Sequence, residues 1–180
     1  WSNWQRTVVD ADITDGTQLD VGPDGRVYYI EHLASTLKIY DPKTDMIKRA
    51  GFIPSVPGLG QGLLGLAIDP NFVKTRWVYV YYHREGLIGR LSRFTLDKND
   101  RLNLLSEKVL LRIYNTGIDH NGGGMEMTRD GDLFLAIGAN DLPHADGLYG
   151  SRGAHSPVIS TILQTNSEVT TQNTLSLLGK

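Results

Sequence analysis

Three segments of the chain follow one pattern of apolar and polar positions. In each, a short run with apolar residues at alternating positions precedes a polar turn, and a run rich in β-branched and aromatic residues follows it. Such alternation around a turn containing Asp, Asn, Pro or Gly is typical of a β-hairpin. The predicted hairpins occupy residues 19–30, 66–82 and 125–137.

Two of these hairpins are followed by a second pair of strand-like runs. The first is followed by residues 36–40 and a turn at 41–44, and the second by residues 90–96 and a turn at 97–100. Each unit therefore holds about four predicted strands. Aligned on Pro23, Pro70 and Arg129, the units recur after 47 and 59 residues. The first interval matches the repeat of about 40 to 50 residues expected of a propeller blade, and the second fits a blade with a loop insertion.

The period predicts an all-β protein, a β-propeller built from four-stranded blades. A β-sandwich would place turns every 8 to 12 residues or so without the longer period. A parallel α/β fold would need amphipathic helices between the strands, and the pattern contains no convincing helix of that kind. Residues 106–113 have the local propensity of a short helix, but their β-branched and apolar end favours a strand.

Three units do not close a propeller ring, which holds about four to eight blades. We therefore expect residues 1–180 to form a single partial domain, an incomplete arc of about three blades. Residues 142–172 are polar and contain regularly spaced glycines, so they are predicted to form a long loop or excursion. An open arc leaves apolar faces and strand edges uncovered. We expect the remainder of a larger propeller, or a protein partner, to cover them.

Composition and charge exclude several classes of function. Eighteen Lys and Arg residues against twenty Asp and Glu residues give a formal net charge of -2, without a basic patch for nucleic acid. No apolar run approaches the roughly 20 residues of a membrane-spanning helix. The chain has no cysteine, which excludes thiolate metal sites, disulfides and cysteine nucleophiles. Its five histidines have no local metal-ligand spacing, so no metal ligand is assigned.

One candidate for catalysis lies directly before the third hairpin, in residues 119–124. An imidazole titrates near neutral pH, and His120 stands between the Asp119 carboxylate and three glycines that would let a ligand approach. This setting suits a general base. The alternative is a turn histidine whose neighbour Asp119 caps its own backbone. Residues 60–65 match the pattern GxGxxG but have no strand before them and no helix after them, which favours a glycine-rich loop over a dinucleotide site.

The order of five segments resembles the pyrroloquinoline-quinone (PQQ) dependent glucose/sorbosone dehydrogenases, a family of soluble quinoproteins. The similar segments are residues 62–72, 77–82, 90–96, 106–111 and 120–123, and residues 173–180 look like the family segment that leads into the next strand. The resemblance implies a six-bladed propeller, of which this chain would form the N-terminal part. It also implies a periplasmic or extracellular location, because family members act outside the cytoplasm.

The resemblance further implies an oxidoreductase in which a sugar (aldose) hydroxyl loses hydride to PQQ. His120 matches the family's general base, Asp119 matches a residue that contacts the substrate, and Gln61 lies near the family's cofactor-binding glutamine. Gln61 stands one position nearer the following leucines than that glutamine, and Gly60 occupies the matching position. Ala139 replaces a family aspartate. The basic residues that hold PQQ, and most ligands of the family's calcium, belong to later blades.

Two other functions remain open. A non-catalytic propeller could serve as an interaction or accessory subunit of a larger complex, since a propeller fold does not determine a function. The departures at Gln61 and Ala139 favour this alternative. A sugar hydrolase would need a pair of catalytic carboxylates, and the sequence offers no distinctive pair. We rank the hydrolase last.

Overall fold

The computed structural model describes residues 4–56, 58, 60–85, 88–114, 118–137, 158–165 and 168–170. Their strands form three antiparallel sheets of four strands each, and within every sheet the strands lie side by side in chain order. Among these residues the one helix is α1, Phe72–Thr75, a single turn. The all-β class and the four-stranded units predicted from the hydrophobic pattern are confirmed.

The first sheet, blade 1, forms from the first predicted hairpin and the strand pair after it. Its turn closes as the sequence predicts, with the N–H of Gly25 donating to the carbonyl of Gly22 at 2.9 Å. Gly25 has a φ of +79°, a left-handed conformation that favours glycine. The strands are β1 Gly16–Val21, β2 Val27–Glu31, β3 Thr36–Asp41 and β4 Met46–Phe52.

The second sheet, blade 2, is covered on both faces. Its central strand carries Tyr79, Tyr81 and Tyr82, each at most 1% exposed. The segment 106–113, which has some helical propensity, lies within the last strand and pairs with the strand before it. The strands are β5 Leu63–Ile68, β6 Trp77–Glu85, β7 Ile88–Leu96 and β8 Leu102–Tyr114.

The third sheet, blade 3, contains two strands that the sequence pattern did not reveal. The third hairpin forms β9 Met125–Met127 and β10 Asp132–Ile137, and the sheet is completed by β11 Val158–Thr165 and β12 Glu168–Thr170. These last two strands replace part of the long loop predicted over residues 142–172. β11 pairs with β10, and β12 pairs with β11; local sequence does not encode such pairing. The remainder of that predicted loop lies outside the described residues.

The first strands of the three blades converge. The Gln18 side-chain oxygen on β1 accepts hydrogen bonds from the N–H groups of Leu66 on β5, at 3.3 Å, and Met125 on β9, at 3.2 Å. The Asp20 carboxylate accepts a further bond from the N–H of Ile68 at 2.7 Å, and burial raises the Asp20 pKa. Side chains of one inner strand thus join three blades, which orders the sheets as an arc around a common axis.

The hydrophobic core is divided into two layers by blade 2. Alternate residues of β6 point to opposite faces of the sheet, so Val78 and Val80 pack toward blade 1 while Tyr79 and Tyr81 pack toward blade 3. A strand that is buried on both faces has a nearly continuous run of apolar residues in its sequence, as residues 77–82 have. No helix in the described part of the chain is long and apolar enough to cross a membrane.

Asp100 forms an ion-pair cluster between blades 1 and 2. Its carboxylate lies 2.8 Å from the Arg26 guanidinium of blade 1 and also contacts Arg76, which follows α1. These two guanidinium groups, Arg26 foremost, lower the pKa of Asp100 to about 2. All three side chains are mostly shielded from solvent. The cluster therefore links the β1–β2 turn of blade 1 to the β7–β8 turn of blade 2 by charge as well as by packing.

Replacement of Asp100 by asparagine is expected to lower the free energy of unfolding by about 1 to 2 kcal/mol at neutral pH. Arg26 and Arg76, both mostly shielded from solvent, each lose an ion pair with Asp100, while Arg26 keeps its ion pair with Asp24. Acid should have the same effect on the unsubstituted protein. The pKa of Asp100 is lower in the folded state than its unfolded value of 3.8, so the ionised carboxylate stabilises the fold at pH values above 3.8. This stabilisation is lost as the pH falls toward 2. Chemical denaturation at several pH values measures both effects.

The matched control is Lys48→Ala. The Lys48 ammonium lies 3.9 Å from the same carboxylate but is 47% exposed, so its removal should change stability by less than about 0.5 kcal/mol. Equal effects of Asp100→Asn and Lys48→Ala would show that the cluster contributes nothing beyond surface charge.

Candidate functional site

The candidate site forms where two loops meet at the start of the inner strands β5 and β9. We call residues 60–62 the glycine loop and residues 118–124 the histidine loop. The N–H of Gly60 donates to the carbonyl of Ile118 at 3.2 Å. The side-chain amide of Asn121 donates to the carbonyl of Gly60 at 2.7 Å. The structure therefore brings the two loops that carry Gln61, Asp119 and His120 into direct contact.

This contact requires a glycine at position 60. A Cβ atom on Gly60 would lie 2.6 Å from both the Cα and a carboxylate oxygen of Asp119, closer than non-bonded atoms approach. A glutamine side chain at position 60 is thus excluded by the histidine loop. The amide stands instead at Gln61, which is buried and packs against Gly58.

His120 lies on the surface of the histidine loop. Its backbone has a φ of +52°, and its N–H donates to the Asp119 carboxylate at 2.8 Å. The residue is exposed. Backbone capping by Asp119, one of the two interpretations left open by the sequence, is therefore present. This cap leaves the His120 imidazole accessible to solvent. Capping by Asp119 and proton transfer by His120 are therefore compatible in this loop.

Asn121 is a functional candidate that the sequence analysis missed. It is 1% exposed, and its amide nitrogen joins the two loops through the Gly60 carbonyl. Its side-chain oxygen is buried and has no hydrogen-bond partner among the described residues. The signal in the sequence was its place directly after His120 and before three glycines. A buried amide with one unsatisfied oxygen calls for a functional explanation.

The three carbonyl oxygens of the glycine loop are each held by a different part of the arc. The Gly60 oxygen accepts from Asn121 before blade 3, as above. The Gln61 oxygen contacts Nε2 of His32, which follows β2 in blade 1. The Gly62 oxygen accepts from the backbone N–H of His83 on β6, at 2.9 Å. The conformation of this loop is therefore determined jointly by three blades.

The two histidines around the glycine loop, His32 and His83, differ in their electrostatic setting. His83 is completely buried, and this desolvation lowers its pKa to about 4. It is neutral at physiological pH. His32 is also buried, but its Nδ1 lies 2.8 Å from the carboxylate of Asp15. The sequence analysis assigned no role to either residue because their neighbours come from distant parts of the chain.

Comparison with known proteins identifies the family to which the chain belongs. The family model for glucose/sorbosone dehydrogenases matches residues 14–156. The PQQ-bound form of an aldose sugar dehydrogenase from Streptomyces coelicolor is 24% identical with a TM-score of 0.71, over 87% of this chain and 46% of that one. The apo-form of the soluble aldose sugar dehydrogenase from Escherichia coli is 20% identical with a TM-score of 0.63, over 83% of this chain and 44% of that one.

The chain thus spans less than half the length of either structural relative. At these identities the likeness to the solved structures establishes the fold, which is an incomplete arc of about three blades of a β-propeller. The family match extends over most of the chain and includes both loops of the candidate site. This chain therefore belongs to the glucose/sorbosone dehydrogenase family.

Proposed function

We propose that the protein to which this chain belongs is a quinoprotein oxidoreductase that oxidises an aldose sugar, with PQQ accepting hydride from a sugar hydroxyl. The observation that carries the proposal is the pair of hydrogen bonds that joins the glycine loop to the histidine loop. They place Gln61 and His120 in adjoining loops at the entrance to the inner strands. Ligands of ring-shaped β folds commonly bind among such loops.

The residues of these two loops fit one side of the proposed cofactor. When bound, PQQ supplies a hydride acceptor. The Gln61 amide and the His120 imidazole suit contact with its polar quinone edge. No lysine or arginine occurs in residues 50–73 or 113–128, although three carboxylates need cationic partners. We therefore assign the cationic partners to other parts of the protein.

Calcium, which the resemblance implies, has no assigned ligand in this chain. Within the ranges that the structure describes, no cluster of three or more His, Asp or Glu side chains could hold a metal ion. In the proposed protein the ligands of that ion belong mainly to later blades. We also place the protein in the periplasm or outside the cell, as the family resemblance implies.

In the proposed reaction His120 acts as the general base. Its imidazole takes the proton of the sugar hydroxyl while the adjoining carbon loses hydride, and the exposed ring then passes the proton to water. Asp119 contacts the sugar with the carboxylate oxygen that does not bind the His120 N–H. The contact with Gly60 holds Asp119 in place. Asn121 keeps the two loops in register and is a positioning residue.

The test is reconstitution of the full-length protein with PQQ and Ca²⁺, followed by reduction of an artificial electron-acceptor dye with a panel of aldoses. We expect dye reduction that requires both PQQ and an aldose. The heat-treated protein and the protein without PQQ are the controls. PQQ binding without turnover of any aldose would overturn the substrate class, and no PQQ binding would overturn the cofactor.

A non-catalytic propeller is the second candidate. The observation that favours it is the absence of lysine and arginine from both loops, together with glycine at position 60. This candidate predicts that the full-length protein forms a stable stoichiometric complex with another protein and binds no PQQ. Isothermal titration with PQQ separates the two candidates directly.

A further inference from the structure

Asn121, the buried amide between the two site loops, is followed by glycine, and this is the one Asn–Gly pair in the sequence. In such a pair the backbone nitrogen of the glycine can attack the side-chain amide carbon of the asparagine. Glycine favours the attack because it has no Cβ atom and adopts conformations closed to other residues. Gly122 and Gly123 have φ values of +73° and +115°. The histidine loop therefore contains both partners of an intramolecular reaction.

The reaction open to this pair is deamidation through a cyclic imide. A bond forms between Cγ of Asn121 and the backbone nitrogen of Gly122, which gives up its proton. The bond between Cγ and Nδ2 breaks, and Nδ2 leaves with that proton as ammonia. Water then opens the imide at either carbonyl carbon, which leaves aspartate or isoaspartate at position 121. Because ammonia is lost, the change is irreversible.

The folded loop opposes this reaction at both polar atoms of the Asn121 amide. Attack by the Gly122 nitrogen places negative charge on Oδ1, and a developing oxyanion needs hydrogen-bond donors. Oδ1 is buried and has no hydrogen-bond partner among the described residues. The leaving group, Nδ2, donates to the Gly60 carbonyl at 2.7 Å. Reaction in the folded loop would therefore create a charge in a buried setting and break the bond that joins the two loops.

The contact between the glycine loop and the histidine loop is what keeps Asn121 buried. The residue is 1% exposed. Beside it, the N–H of Gly60 donates to the carbonyl of Ile118 at 3.2 Å, and Gly60 packs directly against Asp119. Separation of the two loops would free Nδ2 and admit water, which can donate to Oδ1. The reactivity of Asn121 is thus coupled to the opening of this contact.

We propose that Asn121 is a latent site of deamidation, kept unreactive by the contact between the glycine loop and the histidine loop. When the loops separate, water supplies the donors that the folded loop withholds, and the imide forms. The proposal rests on contacts within the described residues and holds with or without a bound cofactor. All its tests therefore use the full-length protein without PQQ.

The product of the reaction cannot restore the contact between the loops. An ionised carboxylate at position 121 has no N–H to donate and would face the Gly60 carbonyl oxygen, which is also an acceptor. Return of that charge to a buried position would also cost free energy. Isoaspartate in addition inserts a side-chain carbon into the main chain directly after His120. Deamidation at Asn121 should therefore leave the two loops apart.

The first test compares the folded protein with a synthetic peptide of residues 117–126, which contains the same Asn–Gly pair without the contact. Both are incubated at one mildly alkaline pH, and peptide mass spectrometry follows the conversion of Asn121. We expect the peptide to react, and the folded protein to react at least about tenfold more slowly, the factor one lost hydrogen bond supplies. Equal rates would overturn the protection, and an unreactive peptide would overturn the site.

The second test opens the contact and leaves the Asn–Gly pair intact. In Gly60→Ala the added Cβ would lie 2.6 Å from the Cα of Asp119, so the loops must separate, and Asn121 should react about tenfold faster. Gly51→Ala is the matched control, because its Cβ would lie 2.7 Å from Leu102, a similar clash between outer strands. An unchanged rate in Gly60→Ala, or equal acceleration in both variants, would overturn the role of the contact.

The third test introduces the product directly and does not depend on a crowded variant. In Asn121→Asp, hydrogen exchange of the Gly60 N–H, which bonds across the contact to Ile118, should become about tenfold faster. Asn71→Asp makes the same chemical change at an exposed residue before α1 and should leave that exchange unchanged. Unaltered Gly60 exchange in Asn121→Asp would overturn the expected separation of the loops, and equal acceleration by Asn71→Asp would do the same.

Discussion

Replacement of His120 by alanine in the full-length protein should lower kcat for aldose oxidation by about a hundredfold to ten-thousandfold. This is the range by which a positioned general base accelerates proton transfer. The imidazole is exposed on the histidine loop, so its removal creates no buried cavity, and the fold should be unchanged. Dye-linked kinetics with PQQ and Ca²⁺ measure the effect, and circular dichroism checks the fold.

Added imidazole provides the control for this prediction. A small base that enters the space left by the side chain should restore part of kcat in His120→Ala and leave the unsubstituted protein unaffected. Retention of full activity in His120→Ala would remove the proposed base. A loss of activity that imidazole cannot restore, accompanied by an altered circular dichroism spectrum, would assign His120 a structural role instead.

Replacement of Gly65 by alanine should lower the free energy of unfolding by about 2 to 4 kcal/mol. A Cβ atom at this position would lie 2.2 Å from the Gly123 carbonyl oxygen and 2.7 Å from the Met125 sulfur. The methionine can adjust, but the carbonyl belongs to a segment that is hydrogen-bonded to Ala136 on β10. Blades 2 and 3 must therefore separate slightly at their inner strands. Chemical denaturation measures the loss.

Gly124 is the matched control for Gly65. It lies on the neighbouring inner segment, and its nearest contact for an added Cβ is Ala136 at 3.9 Å, an ordinary van der Waals distance. Gly124→Ala should change stability by less than about 0.5 kcal/mol. Equal effects of the two substitutions would mean that the inner strands are not packed as closely as the structure indicates.

Much of the fold could be predicted because it rests on local signals. The hairpin turns contain residues such as Gly25 whose conformations only a few residue types adopt readily, and the strands between them alternate or are buried on both faces. The two strands β11 and β12 escaped prediction for the opposite reason. β11 pairs with β10, from which residues 138–157 separate it in the chain, and β12 pairs with β11. No short turn therefore joins these two strands to β10.

The candidate site was predictable only in outline. Gln61, Asp119 and His120 could be found because glycine-rich sequences flank them. The contacts of Asn121, His32 and Asp15 could not, because each is a hydrogen bond to a residue between 17 and 61 positions away. No local pattern encodes such distances.

Local sequence encodes the secondary structure of blades 1 and 2, the unit of about four strands and the two glycine-rich loops, because turn preferences and hydrophobic alternation act over a few residues. Which groups meet depends on how the blades pack. Packing of the inner strands brings the glycine loop against the histidine loop, excludes a side chain at Gly60 and places His32 behind Gln61. These contacts depend on the shape of the arc, which forms when whole blades pack together.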